Sequence, residues 1–236
     1  MNRLGLSSEA CIEVFKEFSD SSKFSNIELI LMSHLGYADD MEYGPSYDFT
    51  QNQLAEFAKI REAVQQLSNK KIESSIAASA GILTLPQSHY EIVRPGVMLY
   101  GASPLAKKTG EELGLLPVMT LHSRLIAINE VSAGSCIGYG ATYICDKDTR
   151  VGVVSIGYGD GYPRSAANGT PVLIKTASGA LRARLIGRVS MDMITIDLNG
   201  IADAQIGDDI VLWGEDLCAD EVAHHAGTIS YELFCQ

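Results

Sequence analysis

The chain's 236 residues predict an α/β fold that gives way to an all-β domain. Three observations carry this expectation. Up to residue 101, helix-like and strand-like apolar patterns alternate; beyond residue 117, short apolar runs recur between turn residues; and the stretch between them is broken by Pro104, Gly110 and Gly114. The expected division is an α/β domain over residues 1–112 and a β domain over residues 113–236.

In the first part, Cys11, Val14, Phe15 and Phe18 fall on one face at helical spacing. Asn26 to Ser33 reads as a short buried strand. Thr50-Gln-Asn-Gln53 has the form of a capping box. The helix it opens would align Leu54, Phe57, Ile60, Val64 and Leu67 in one stripe. Ile72 to Ala78 and Ile92 to Leu99 read as two further strands. Strands alternating with helices imply parallel pairing with helices outside. Three strands are too few for a closed eight-stranded barrel, which takes roughly 250 residues. The second part predicts strands Val118–Ile128, Val151–Ile156, Pro171–Ile174, Leu181–Ile186, Ile194–Leu198 and Ile210–Trp213, with one helix over Asp220–Gly227. The opening segment Met1-Asn-Arg-Leu-Gly-Leu6 and the closing Phe234-Cys235-Gln236 both read as cut from something larger. A half-sheet of this kind predicts exposed edges and a loose first domain.

A net charge of −11 argues against nucleic acid or an anionic membrane as partner, since both need a basic surface. No apolar run reaches the ~18 residues of a membrane span, and no signal-peptide pattern opens the chain. Five widely spaced cysteines without a C-x-x-C pair fit free thiols in a reducing compartment and no metal site. The expected location is cytoplasmic.

Chemistry concentrates in three stretches. In Ser155-Ile-Gly-Tyr-Gly-Asp-Gly-Tyr-Pro-Arg164, glycines alternate with Tyr158 and Asp160 just after an apolar strand. Alternating glycines allow close approach to a ligand, but spacing alone favours a tight turn with packing tyrosines. In the second, Arg94 sits in an apolar segment ending in Pro-Gly. It reads equally as a site residue at a strand's carboxyl end or as a surface arginine. The third, Gly187-Arg-Val-Ser-Met-Asp-Met193, suggests a structural Arg188–Asp192 ion pair. His34 closes the first strand and, taken alone, reads as a hydrogen-bonded structural histidine. His224 and His225 read as surface.

Arg94-Pro-Gly-Val-Met-Leu-Tyr-Gly101, Ile156-Gly-Tyr-Gly-Asp-Gly-Tyr-Pro-Arg164, Gly187-Arg-Val-Ser-Met-Asp192 and Ile229-Ser-Tyr-Glu-Leu233 resemble, in order and spacing, motifs of bacterial alanine racemase. Met1-Asn-Arg-Leu-Gly5 and Met32-Ser-His34 stand ahead of them. The resemblance implies a homodimer that interconverts L- and D-alanine and supplies D-alanine for peptidoglycan. Its first domain would be the C-terminal part of a pyridoxal-phosphate-binding (β/α)8 barrel, followed by a β-strand-rich domain that completes the partner's active site. It implies Tyr158 as the base reaching across from the partner, and His34 and Arg94 as residues linked to that tyrosine. Arg94 would also face the cofactor's pyridine nitrogen. Ser79, Gly96, Val97 and Tyr231 would hold the phosphate, Arg3 would lie near the ring hydroxyl, and Met191 near the substrate carboxylate.

The departures matter too. The family attaches its cofactor to a lysine in a Val-Lys-Ala-Asn-Ala-Tyr-Gly-type segment, and no such segment occurs in these residues. That lysine also serves as one of the two bases. The expectation is therefore a chain without racemase activity as written. Ala78 replaces the usual asparagine before Ser79, Ser190 stands where some members have cysteine, and the β domain is expected to lack its last few residues. A non-catalytic β-domain or dimerisation remnant, or a racemase of broader amino-acid range, would share most of these features.

Overall fold

The computed structural model describes residues 1, 3–20, 26–42 and 44–236, so Asn2 of the opening motif lies outside the described residues. Two compact units emerge: residues 1–98 with 104–107, and residues 99–103 with 108–236.

The first unit is a parallel strand pair with helices. Helix α1 (Ser8–Asp20) turns Phe15 into the core, while Val14 of the expected face stays partly exposed at 37%. Strand β1 (Ile30–Met32) pairs in parallel with β2 (Glu73–Ser75), Leu31 lying opposite Ser74. The crossover between them is α2 (Pro45–Gln66). Its stripe is as expected over Leu54, Phe57 and Val64, which are buried together with Leu31, Ile72 and Ile76. Its start is not. The helix opens at Pro45, whose fixed φ and missing N–H suit the first helical position. Thr50 is therefore mid-helix, its hydroxyl bonding back to the Ser46 carbonyl at 2.9 Å. The capping box is thus a misreading.

Helix α3 (Ser79–Thr84) follows β2 directly. The expected third strand, Ile92 to Leu99, does not form. Ile92 and Arg94 donate to the carbonyls of Ser74 (3.2 Å) and Ala77 (2.9 Å), but only a single bridge, Ala78 to Arg94, results. Pro95 has no N–H to continue a ladder, and the chain winds into a 3-10 turn at Val97–Tyr100.

In the second unit, β3 (Leu121–Val131) is followed by a small hairpin of β4 (Cys136–Ile137) and β5 (Tyr143–Ile144). Then come β6 (Thr149–Val154), β7 (Pro171–Thr176), β8 (Gly179–Leu185), β9 (Ile194–Asp197) and β10 (Asp209–Trp213). Strands β10, β3, β6, β9, β8 and β7 close in that order into an antiparallel barrel, which leaves no unpaired edge. Each of its six strands overlaps an expected one. Leu125, Val154, Ile174, Leu185, Ile196 and Ile210 fill the interior. Helix α4 (Ala219–Ala226) adds Val222 and Ala223 to the same core, and α5 (Ser230–Leu233) adds Leu233.

Candidate active site

Parallel strands bring their carboxyl ends together, and the first unit gathers its polar side chains there. Ser33 extends the β1–β2 ladder by one bond, its N–H donating to the Ser75 carbonyl at 3.0 Å. Arg94 lies half-buried alongside. Its Nη1 donates to Ser75 Oγ at 2.5 Å, and its Nη2 donates to the Ser33 carbonyl at 2.7 Å and approaches His34 Nδ1 at 3.4 Å. The alternative of a free surface arginine therefore falls. The guanidinium is held in one plane by both strand ends, and it stays charged although burial pulls its pKa down.

His34 is solvent-exposed, yet its pKa is lowered, first by partial burial and then by the charges of Arg94 and Arg3. A neutral imidazole whose Nδ1 accepts from Arg94 keeps its proton on Nε2. Arg3 itself is exposed and touches the Met1 sulfur at 3.7 Å.

Ser79, the first residue of α3, is buried at 2% exposure. Its Oγ accepts from the N–H of Gly96 at 2.8 Å and of Met98 at 3.5 Å, tying the Pro-Gly turn to the end of β2. With two N–H groups on the oxygen, the hydroxyl proton remains to be donated elsewhere. Val97 is buried beside it at 4%.

In the second unit, Tyr158 stands on a 3-10 turn (Tyr158–Asp160) just after β6. The Asp160 carboxylate accepts the Gly157 N–H at 2.9 Å and closes this turn. Two further bonds clamp it to the neighbouring segment: Tyr158 N–H to the Ser190 carbonyl at 3.0 Å, and Gly159 N–H to the Met191 carbonyl at 2.8 Å. A Cβ on Gly157 would come within 2.3 Å of both carbonyl oxygens, so only glycine permits the approach. The motif is the tight turn that spacing favours, but its two tyrosines diverge. Tyr162 is sealed in the core, stacked on Trp213 at 5.9 Å between centroids, whereas Tyr158 is 40% exposed with Arg164 over its ring at 6.0 Å. Met191 is exposed on the same clamp. The expected Arg188–Asp192 ion pair does not occur among the described residues; the ion pairs nearby join Arg184 to Asp197 and Arg182 to Glu221. Tyr231 sits on α5, 45% exposed. His224 and His225 are both exposed.

Three participants have roles that a reading of the sequence does not give. Ser75 is one serine among many until the strand pairing places it under Arg94. Asp160 shows only as a charge inside a glycine run. Gln53 donates through Nε2 to the His34 carbonyl at 3.2 Å and accepts the Gly36 N–H on Oε1 at 2.8 Å. In the sequence it shows only as the last residue of the misread Thr50–Gln53 capping box, a polar position beside the apolar stripe of α2.

An α/β unit that presents cationic and hydroxyl groups at its strand ends, followed in sequence by a β-barrel module, is a two-module architecture. Family models describe it directly: the alanine racemase N-terminal domain matches residues 1–104, and the alanine racemase C-terminal domain matches residues 118–236. The chain belongs to the alanine racemase family. The alanine racemase of Vibrio vulnificus (strain CMCP6) is 47% identical over 236 residues, covering 99% of this chain and 61% of that protein. That of Nitrosomonas europaea is 47% identical over 233 residues, with the same coverage of 99% and 61%. Among solved structures, the biosynthetic alanine racemase from Pseudomonas aeruginosa superposes with a TM-score of 0.85 at 42% identity, covering 99% of this chain and 61% of that one. Alanine racemase from Bartonella henselae, solved with covalently bound pyridoxal phosphate, gives 0.77 at 27% identity over 99% of this chain and 60% of that one. The chain thus spans about 61% of the length of the curated relatives it matches. Its fold is that of the family: part of the N-terminal barrel domain, followed by the β-rich C-terminal domain.

Proposed function

We propose that these residues form the greater part of a pyridoxal-phosphate-dependent alanine racemase that interconverts L- and D-alanine in the cytoplasm, as a homodimer whose two copies share each active site. The observation that carries this reading is the cluster of Arg94, His34 and Ser75 at the ends of β1 and β2, with Ser79 fastened to Gly96 beside it. The donor set fits the cofactor. A fixed guanidinium suits an unprotonated ring nitrogen, and a serine hydroxyl with its proton to give suits a phosphate oxygen.

Pyridoxal phosphate, when bound, supplies a sink for the negative charge left as the amino acid loses its α-proton. Arg94, always charged, would donate to the ring nitrogen and leave it unprotonated, which would moderate that sink and favour return of the proton. Ser79, Gly96, Val97 and Tyr231 would hold the phosphate, and Arg3 would lie toward the ring hydroxyl. Tyr158 moves the proton on one face, delivered from the second copy of the chain. The neutral His34 offers its Nε2–H to that tyrosine's oxygen while Nδ1 rests on Arg94. Met191 borders the substrate carboxylate. The opposite face needs a second base, the lysine that these residues do not contain, so by themselves they are expected to bind cofactor weakly and not to racemise.

The test joins the chain to a lysine-bearing family segment and follows conversion of L-alanine by chiral chromatography. Racemisation should appear, fall by about three orders of magnitude or more in Tyr158→Phe, and be lost in Arg94→Ala. A Tyr158→Phe form as active as its parent would refute the assignment.

A further inference from the structure

The segment that carries His34 has to be fixed by something other than its own burial. Its imidazole is exposed, and past Ser33 the strand pairing stops. Backbone groups there must find partners or face water. Arg94 takes the Ser33 carbonyl at 2.7 Å. The next two anchors both come from one side chain on α2. Gln53 donates to the His34 carbonyl at 3.2 Å and accepts from the Gly36 N–H at 2.8 Å, so a single primary amide spans the peptide groups on either side of Leu35.

Local sequence suits this arrangement. Leu35 and Ala38 point into the core at 7% and 5% exposure. Gly36 lets α2 come close, since a Cβ there would lie 3.1 Å from Phe49 Cε1 and 3.6 Å from Gln53 Oε1. Among uncharged side chains of this length, only glutamine offers a donor and an acceptor on one planar group. Glutamate keeps the acceptor but opposes the His34 carbonyl with a second oxygen, and leucine offers neither.

We propose that Gln53 is a positioning residue: its amide on α2 clasps the backbone of residues 34–36 and so holds the His34 imidazole against Arg94. This rests on the reading of His34 and Arg94 as site residues, and the experiment separates the two. The 236-residue chain is labelled with 13C and 15N, and its His34 ring signals and Gly36 amide exchange are followed against pH in the parent, Gln53→Leu, Gln53→Glu and Arg94→Gln. Arg94 and Arg3 are the charges that act on this imidazole. In Gln53→Leu, the His34 midpoint should rise toward the ordinary ~6.5, and Gly36 should exchange on the order of five- to tenfold faster, the worth of one hydrogen bond. Gln53→Glu should keep Gly36 protected while still releasing His34, which preserves the test if the leucine form folds poorly. Exposed Asn52→Leu should change neither signal. His34 and Gly36 signals in folded Gln53→Leu identical to the parent's would overturn the proposal. If instead Arg94→Gln leaves His34 unmoved, the pairing of His34 with Arg94 is what fails.

Discussion

Single side chains in this protein differ most in whether their polar atoms find partners. Tyr162 and Trp213 stack in the barrel core, and neither the Tyr162 hydroxyl nor the Trp213 Nε1 has a hydrogen-bond partner among the described residues. Burial drives the Tyr162 phenol far above its usual pKa. Tyr162→Phe keeps the ring and removes an unsatisfied oxygen, so it should leave the fold intact and raise stability by about 1 kcal/mol in urea denaturation. A loss of stability would mean that the hydroxyl is bonded. His34 gives the opposite case, an exposed ring tuned by its neighbours. Partial burial, then Arg94 and Arg3, depress its pKa, so the folded chain binds this proton less readily than the unfolded one. The associated stability is present above the unfolded value near 6.5 and is lost as pH falls from there through the lower folded value. NMR titration should place the His34 midpoint below that of a free imidazole. In Arg94→Gln the midpoint should rise but stay depressed, because burial is the larger cause.

At the level of elements, the Tyr158 turn shows how a glycine pattern becomes a presented side chain. Gly157 is required because Ser190 and Met191 lie against it, and Asp160 closes the turn. Gly157→Ala would drive a methyl into two carbonyl oxygens, forcing the clamp apart. It should cost about 2–3 kcal/mol by thermal denaturation and broaden or shift the Tyr158 ring signals. Wild-type stability in this variant would show that the clamp is not held as described. Strand β1 makes a different point. Parallel strands are normally covered on both faces, yet Ile30 and Met32 are 47% and 65% exposed while Leu31 between them is buried. Replacing both by threonine and glutamine should reduce binding of an apolar dye to the 236-residue chain without loss of helical circular dichroism.

The whole molecule divides its stability unevenly. Its second unit closes a six-stranded barrel, so every barrel strand is paired on both sides, whereas among the described residues β1 and β2 of the first unit form a two-stranded sheet. Loose edges and exposed apolar faces open more readily than closed ladders. Limited proteolysis should therefore leave a resistant fragment beginning near residue 113, where the sequence places the start of the β domain. A chain equally resistant throughout would contradict this.

Much of this was legible in the amino-acid order, because it rests on local rules. Apolar alternation located all six barrel strands, and the α2 stripe located Leu54, Phe57 and Val64. The motif order pointed to Arg94, Ser79 and Tyr158. Sequence misplaced what depends on one residue cancelling a pattern: Pro95 ending a would-be strand, Pro45 starting a helix that Thr50 seemed to open. Only the tertiary structure decided which of two similar tyrosines is buried, that Ser75 receives Arg94, and that Gln53 reaches the His34 segment across 19 residues. The reason is physical. Apolar periodicity is set by each element's own geometry, but the partner of a polar side chain is chosen by whatever the packing of distant segments brings within about 3 Å.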